Sequence, residues 1–142
     1  MRETSSTQKV CSFYVSNMHF ATMILPFVNR QMEGKNKIIT FFENNIITNI
    51  ELVLSKLITT EERKKELLNI NWKNTKVDKH SNIEKHLKTN LCKKAKHIII
   101  VNGEEEYITA VNNYIERYIE KNHKKLELNN IKVMNFYEVR EL

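Results

Sequence analysis

The chain has 142 residues, a length typical of one domain and sufficient to bury a hydrophobic core. With 41% hydrophobic and 28% charged residues and a net charge of +6, it has neither the composition of a disordered tail nor that of a fibrous repeat. Two glycines and one proline argue against a turn-dense β-sandwich and against glycine-rich phosphate loops, so we expect a helix-rich architecture.

Cysteine spacing and hydropathy bear on the compartment. Cys11 and Cys92 stand far apart and lack the spacing of a metal knuckle or a redox pair. Residues 1–11 are polar, and no apolar stretch approaches the roughly 18 residues of a membrane span. We expect a cytoplasmic protein with a polar leader at 1–11, a single α/β domain at 12–142 and no membrane partner.

The first predicted strand is the aromatic and β-branched segment 12–15. A long helix should follow, with Asn17 as its N-cap and Gly34 at its end. Pro26 inside this segment predicts a kink or a break one turn earlier, and a helix that starts only at Leu25 is the competing boundary.

The second predicted strand, 37–42, is a continuous β-rich run of the kind that is covered on both faces, which favours a parallel sheet. Apolar residues between 46 and 58 recur at helical spacing and predict a second helix. Thr59 or Thr60 should cap a short third helix, because two glutamates follow in its first turn.

The middle of the chain gives weaker signals. Residues 75–77 are a candidate short edge strand, and apolar residues at every fourth position predict a helix over 83–95. Residues 97–101 form the clearest strand pattern in the chain.

The pair Asn102-Gly103 predicts a turn into a long helix that ends at Asn122, and a last strand is predicted over 131–139. Strands that alternate with helices of ten to twenty residues predict right-handed βαβ units. The expected fold is therefore α/β, with three layers, a mostly parallel open sheet of four to five strands, and helices on both faces.

The candidate ligand-binding residues are polar and follow the predicted strands. The chain has no Walker A loop, dinucleotide glycine fingerprint, nucleophile elbow, zinc-binding histidine pair or calcium loop. In open α/β sheets ligands bind beyond the carboxyl ends of the strands. The candidates there are Ser16, Asn17, His19, Glu43, Asn44, Asn45, Asn102, Gly103 and Glu104.

Each candidate group also has a purely structural interpretation. Asn17 could help hold an anion or only cap a helix, and His19 could be an acid or base or only a helix residue. Glu43 and the two amides after it could bind a sugar or base edge, or merely end a strand. Three glutamates at 104–106 stabilise a helix start and repel phosphate. A cation held by Glu43, Glu104 and His19 is conceivable, but helix-start stabilisation explains the same residues, so no metal or cofactor is predicted.

The basic residues are concentrated in one segment. Residues 56–97 contain twelve Lys or Arg and five Asp or Glu, a balance of +7 that leaves −1 for the rest of the chain. Such a segment could follow a phosphate backbone, or it could form the solvated faces of ordinary helices. The candidate nucleic-acid contacts are Lys73, Lys76, Lys79, Lys88, Lys93, Lys94 and Lys96.

The first half of the chain shows a recognisable order of strands and helices. A strand that starts near Tyr14 is followed by a helix that carries Ile24-Leu25-Pro26-Phe27-Val28, a strand over 38–42 and an amphipathic helix through Leu54. Over 14–57, about a third of the chain, this resembles the opening of MEDS-type sensory domains, which are related in fold to RecA-like ATPases but lack their phosphate loop. The resemblance implies a domain that senses a small molecule or relays a signal, usually without catalysis. It identifies no functional residue, and it does not extend beyond Thr59.

Two functions are therefore compared. The first is a non-catalytic regulatory or sensory domain that binds a small ligand or a protein partner at the carboxyl edge of its sheet and acts through self-association or docking. The alternative is binding of a nucleic acid or nucleotide second messenger through residues 56–97, with or without weak phosphodiesterase activity.

Overall fold

The computed structural model describes residues 8–76, 80–91, 96–126 and 131–139. Strands alternate with helices along these residues, which confirms the α/β class. The elements are β1 (Gln8–Tyr14), α1 (Asn17–Glu33), β2 (Lys37–Phe42), α2 (Ile47–Ser55), α3 (Glu61–Leu68), α4 (His80–Asn90), β3 (His97–Gly103), α5 (Glu105–Leu126) and β4 (Ile131–Glu138).

The strands form one sheet in the order β1-β4-β3-β2, and every neighbouring pair is parallel. After β1 the chain crosses both inner strands to reach β2 at the far edge, and then it returns through β3 to β4. All four carboxyl ends therefore lie at one edge of the sheet, as the sequence predicts.

Helices cover both faces of the sheet, which confirms the three-layer prediction. Ile98 and Ile100 of β3 pack in one cluster with α1, α2 and α3, and we call this side the α1 face. Ile99 and Val101 pack in a second cluster with α4 and α5, on the α5 face. The alternation follows from the two-residue period of a strand.

None of the helices in the described ranges is both long and apolar enough to span a bilayer.

The start of α1 differs from the prediction. Ser16 is the N-cap and its hydroxyl accepts from the backbone N–H of His19, so the assignment of the cap to Asn17 is wrong. The break before Pro26 and the start at Leu25 are also wrong, because one helix runs through Pro26. Burial of a full apolar face between Phe20 and Val28 offsets the backbone bond that proline removes.

Strand boundaries differ where pairing with distant residues decides them. β1 begins at Gln8, inside the predicted polar leader, because residues 8–11 pair with 132–135 of β4. Asn102 and Gly103 belong to β3 and are not a turn. Thr75 and Lys76 are not in a strand, and the remaining residue of that predicted strand, Val77, lies outside the described residues.

Two helix ends also differ. α5 continues to Leu126, so the predicted end at Asn122 is wrong. α4 ends at Asn90, and the rest of the helix predicted over 83–95 falls partly on residues 92–95, which are not among the described residues. The cap of α3 at Thr60, its acidic first turn and the bounds of β2 are confirmed.

Candidate functional site

The ends of β2 and β3 are joined by Glu43. Its backbone N–H donates to the carbonyl oxygen of Asn102 at 3.0 Å and to Oδ1 of the same residue at 3.2 Å. Its carboxylate Oε1 accepts from the backbone N–H of Glu104 at 2.7 Å, directly before α5. A carboxylate at this position stabilises a helix start, so the structural interpretation of Glu43 accounts for its contacts.

Gly103 makes this close approach possible. It has φ +145°, a conformation that residues with a side chain rarely adopt. A Cβ atom on Gly103 would stand 2.5 Å from Oε1 of Glu43 and 2.7 Å from its Cβ. The glycine therefore lets Glu43 reach the first turn of α5, and it does not form a phosphate loop.

Ser16 and His19, two of the candidates after β1, form hydrogen bonds within the start of α1. Ser16 Oγ accepts from the His19 N–H at 3.0 Å, and His19 Nδ1 accepts from the Val15 N–H at 3.1 Å. His19 is exposed and its Nδ1 lone pair is used, so this arrangement supports the interpretation of His19 as a helix-start residue. Asn17 is half-buried at the first position of α1.

The three polar residues after β2 have different contacts. Asn45 Oδ1 accepts from the Ile47 N–H at 3.0 Å and stabilises the start of α2. Asn44 instead reaches across the edge of the sheet, and its Nδ2 donates to Oε1 of Glu138 at the end of β4, 3.2 Å away.

Tyr14 contacts the same carboxylate. Its hydroxyl stands 3.5 Å from Oε1 of Glu138, and its side chain is only 1% exposed. Burial, followed by the negative charge of Glu138, raises the pKa of Tyr14 well above its usual value. Tyr14 therefore stays protonated near neutral pH and remains a hydrogen-bond donor.

Asn102 carries a buried donor on the same face. Asn102 is 0% exposed, and its Oδ1 accepts from the Glu43 N–H. Within the described ranges its Nδ2 has no hydrogen-bond partner. Because Ile98 and Ile100 of β3 lie on the α1 face, strand alternation places Asn102 there as well. A buried donor without an acceptor costs about 1–3 kcal/mol.

Hydrogen bonds link Tyr14, Asn44 and Glu138 at the carboxyl edge on the α1 face, and Asn102 lies at the same edge and on the same face. Phe136 of β4 also lies on that face, and so does Glu138 two residues later. We call the group the edge cluster, and it consists of Tyr14, Asn44, Asn102 and Glu138.

Acidic side chains outnumber basic ones around the carboxyl edge among the described residues, although Lys73 and Lys76 lie near the end of β2. Glu138 lies within the edge cluster, and Glu43 and residues 104–106 stand at the end of β3 and the start of α5. This potential favours a neutral or cationic molecule over a phosphate. In the described part of the chain, no three His, Cys, Asp or Glu side chains are grouped closely enough to hold a metal ion, so Glu43, Glu104 and His19 do not form the conceivable cation site.

The structure does not bring the described candidate lysines together at one edge. Lys96 lies at the amino end of β3, where its carbonyl accepts from the Lys37 N–H. Lys73 and Lys76 lie near the carboxyl end of β2, where the Thr75 N–H donates to the Phe42 carbonyl. Lys88 is exposed on α4, and Lys79, Lys93 and Lys94 fall outside the described residues.

A cavity of about 280 Å³ lies at the opposite, amino end of β2. It is bordered by the last turn of α1 and by α3, whose carboxyl ends carry partial negative charge. Lys35 and Lys37 line it together with Glu66, which forms an ion pair with Arg63 of α3. The lining residues are Met32, Lys35, Asn36, Lys37, Ile38, Glu66 and Ile70.

Tyr14 and Glu138 are the members of the edge cluster that the sequence analysis did not select. Glu138 lies inside the last predicted strand, 131–139, and inside β4, so the rule that selects residues after a strand does not include it. The sequence predicts Tyr14 only as a strand residue, and the contact of its hydroxyl with Glu138 depends on the pairing of β1 with β4.

A scan against models of known protein families gave no match, and a search of the curated proteins found no relative.

Proposed function

We propose that this chain is a non-catalytic regulatory or sensory domain that binds a small, neutral or cationic molecule at the edge cluster. The carrying observation is the Nδ2 group of Asn102, a fully buried donor without a partner among the described residues. It lies at the carboxyl end of a central parallel strand, where open α/β sheets bind their ligands.

The chemistry of the cluster defines what the ligand must offer. Asn102 provides a donor and therefore requires an acceptor such as a carbonyl, hydroxyl or ring nitrogen. Glu138 provides a carboxylate that accepts from hydroxyl or ammonium groups, and the Tyr14 hydroxyl lies 3.5 Å from one of its oxygens. A ligand with an acceptor on one side and a hydroxyl or amine on the other fits both requirements.

The regulatory part of the proposal has two supports. Glu43 and His19 are used in local bonds at helix starts, so neither is arranged as a general acid or base. The resemblance of residues 14–57 to MEDS-type sensory domains favours ligand sensing over catalysis.

Thermal unfolding with a panel of polyols, nucleosides and diamines tests the proposal. A compound present at one hundred times its Kd stabilises the folded state by about 2.7 kcal/mol, which raises the melting temperature by several degrees. We expect a neutral or cationic compound to give such a shift, and inorganic phosphate to give none.

Matched variants locate the binding. Asn44→Ala and Glu138→Gln change half-buried members of the edge cluster and should weaken binding of the same compound at least about tenfold, as loss of a charge-assisted bond does. Asn113→Ala, an exposed asparagine on α5, should leave it unchanged. A panel without any stabilising compound, or equal binding by all three variants and the parent chain, would overturn the proposal.

A further inference from the structure

The outer side of β1 is an open strand edge. β1 pairs with β4 on one side, and no strand in the described ranges lies on the other. The Tyr14 carbonyl accepts from the Val139 N–H at 2.8 Å, so the backbone polar groups of Tyr14 face β4. Because successive residues of a strand alternate, those of Lys9, Cys11 and Phe13 face outward.

Apolar side chains are exposed along the same edge. Val10 is 39% exposed, Phe13 62% and Val15 64%, and Val139 beside them is 43% exposed. They are four of the eight large apolar side chains that are exposed in the described part of the chain. Strand alternation places Phe13, Val15 and Val139 together on the α5 face and Val10 on the α1 face, and exposed apolar residues grouped on one face are typical of an interaction surface.

Within β1 the edge also carries no unbalanced charge, on a chain of net charge +6. Lys9 is the one charged residue of β1, and its ammonium group forms an ion pair with Glu116 of α5. A lysine usually protects a strand edge from pairing, but here its charge is balanced. Two copies of a basic chain repel each other least where such a neutral surface meets its equal.

We propose that β1 pairs in antiparallel fashion with β1 of a second copy, about a twofold axis that passes between the two Cys11 residues. This register sets Lys9 opposite Phe13 of the second copy and forms about six backbone hydrogen bonds from the outward groups. The aliphatic stem of Lys9 then covers the exposed ring of Phe13. The contact uses none of the edge-cluster side chains, so it goes beyond the proposed function and does not depend on it.

Sedimentation equilibrium of the full chain over a range of concentrations tests the pairing. The parent chain should form a dimer. Phe13→Lys sets two positive charges opposite each other at both ends of the contact and removes apolar burial, so it should weaken the dimer at least about tenfold. Phe13→Glu sets opposite charges together and should weaken it much less.

A control and a second disruptive variant distinguish this register from general apolar association. Leu52→Lys places the same charge on an exposed residue of α2 and should leave the dimer unchanged. Cys11→Pro removes an outward-facing N–H and no bond to β4, so it should give a monomer with an unchanged circular dichroism spectrum.

Cross-linking tests the position of the axis. The Cα atoms of an opposed, hydrogen-bonded antiparallel pair are about 5.5 Å apart. A bismaleimide with a short spacer should therefore join two copies of a Cys92→Ser chain through Cys11. A monomer at every concentration, or a dimer that Phe13→Lys weakens no more than Leu52→Lys, would overturn the proposal.

Discussion

β3 and β1 are strands of equal length in one sheet, yet their surroundings are opposite. All seven residues of β3 are buried, because β2 and β4 flank it and helices cover both of its faces. In β1 only Tyr14 is buried, because β4 is its one described neighbour. The apolar residues of β3 therefore belong to the hydrophobic core, whereas Val10 and Phe13 of β1 are exposed.

The carboxyl ends of the two strands differ in the same way. The end of β3 is held by Glu43, which bonds to Asn102 and Glu104. The end of β1 passes through the exposed residue Val15 into the cap of α1. The bonds of Glu43 therefore stabilise the fold at the end of β3, whereas Val15 at the end of β1 remains exposed.

Truncation of one aliphatic side chain in each strand tests this contrast most directly. Ile99→Ala removes buried methyl groups from the α5 face of β3 and should lower the free energy of unfolding by about 3–4 kcal/mol. Val10→Ala in β1 should lower it by less than about 1 kcal/mol. Urea denaturation of both variants measures the difference, and equal losses would show that β1 is packed as tightly as β3.

The end of β3 gives the next largest effect. Gly103→Ala adds a Cβ atom where Glu43 already stands, at a φ of +145°, and should destabilise the protein by roughly 2–4 kcal/mol.

Gly34→Ala is the matched control for Gly103→Ala. At Gly34 the nearest atom to a new Cβ is 3.5 Å away and φ is −80°, so the change should be within about 1 kcal/mol of neutral or slightly stabilising. If both substitutions have the same effect in urea denaturation, the close contact of Gly103 with Glu43 does not constrain the strand end.

The sequence predicts those parts of the fold that depend on local pattern. Continuous apolar runs identified β2 and the core of β3, and Thr60 with two glutamates identified the start of α3. Distant contacts decided the rest. Residues 8–11 form a strand because β4, more than a hundred residues later, pairs with them, and α1 continues through Pro26 because its apolar face is buried.

The distinction between local pattern and distant contacts also applies to the candidate site. Asn44 and Asn102 could be selected because the carboxyl ends of parallel strands share an edge. The contact of Tyr14 with Glu138 depends on the adjacency of β1 and β4, and strand order is not a local property of the sequence. The hydrogen bond that the Glu104 N–H donates to the Glu43 carboxylate is also not predictable from the sequence, because it requires the exact register of β2 against β3.

β4 lies between the two compared strands and carries a buried polar contact. Asn135 exchanges side-chain hydrogen bonds with Asn112 of α5, at 2.8 and 3.2 Å. Either single change to Ala leaves one buried amide without its partner and should cost about 2 kcal/mol.

The double change to Ala should cost clearly less than the sum of the two single changes, because no unpaired amide remains. Thermal or urea unfolding of the three variants and the parent chain gives the free energies of unfolding for this double-mutant cycle. Additive losses would show that the two amides act independently, and the link between α5 and β4 would then rest on apolar packing alone.

The smallest effect is expected at the exposed end of β1. Ser16→Ala removes the hydroxyl that accepts from the His19 N–H and should cost about 1 kcal/mol, whereas Asn17→Ala should cost only a few tenths. The reverse order in urea denaturation would restore Asn17 as the cap. This difference between the two variants also bears on function. A Ser16 hydroxyl that stabilises α1 has a structural role, as the Glu43 carboxylate has at the end of β2. In the proposed site, ligand contacts then come from Asn44 and Glu138, whose removal should affect binding more than stability, and from the buried Nδ2 group of Asn102.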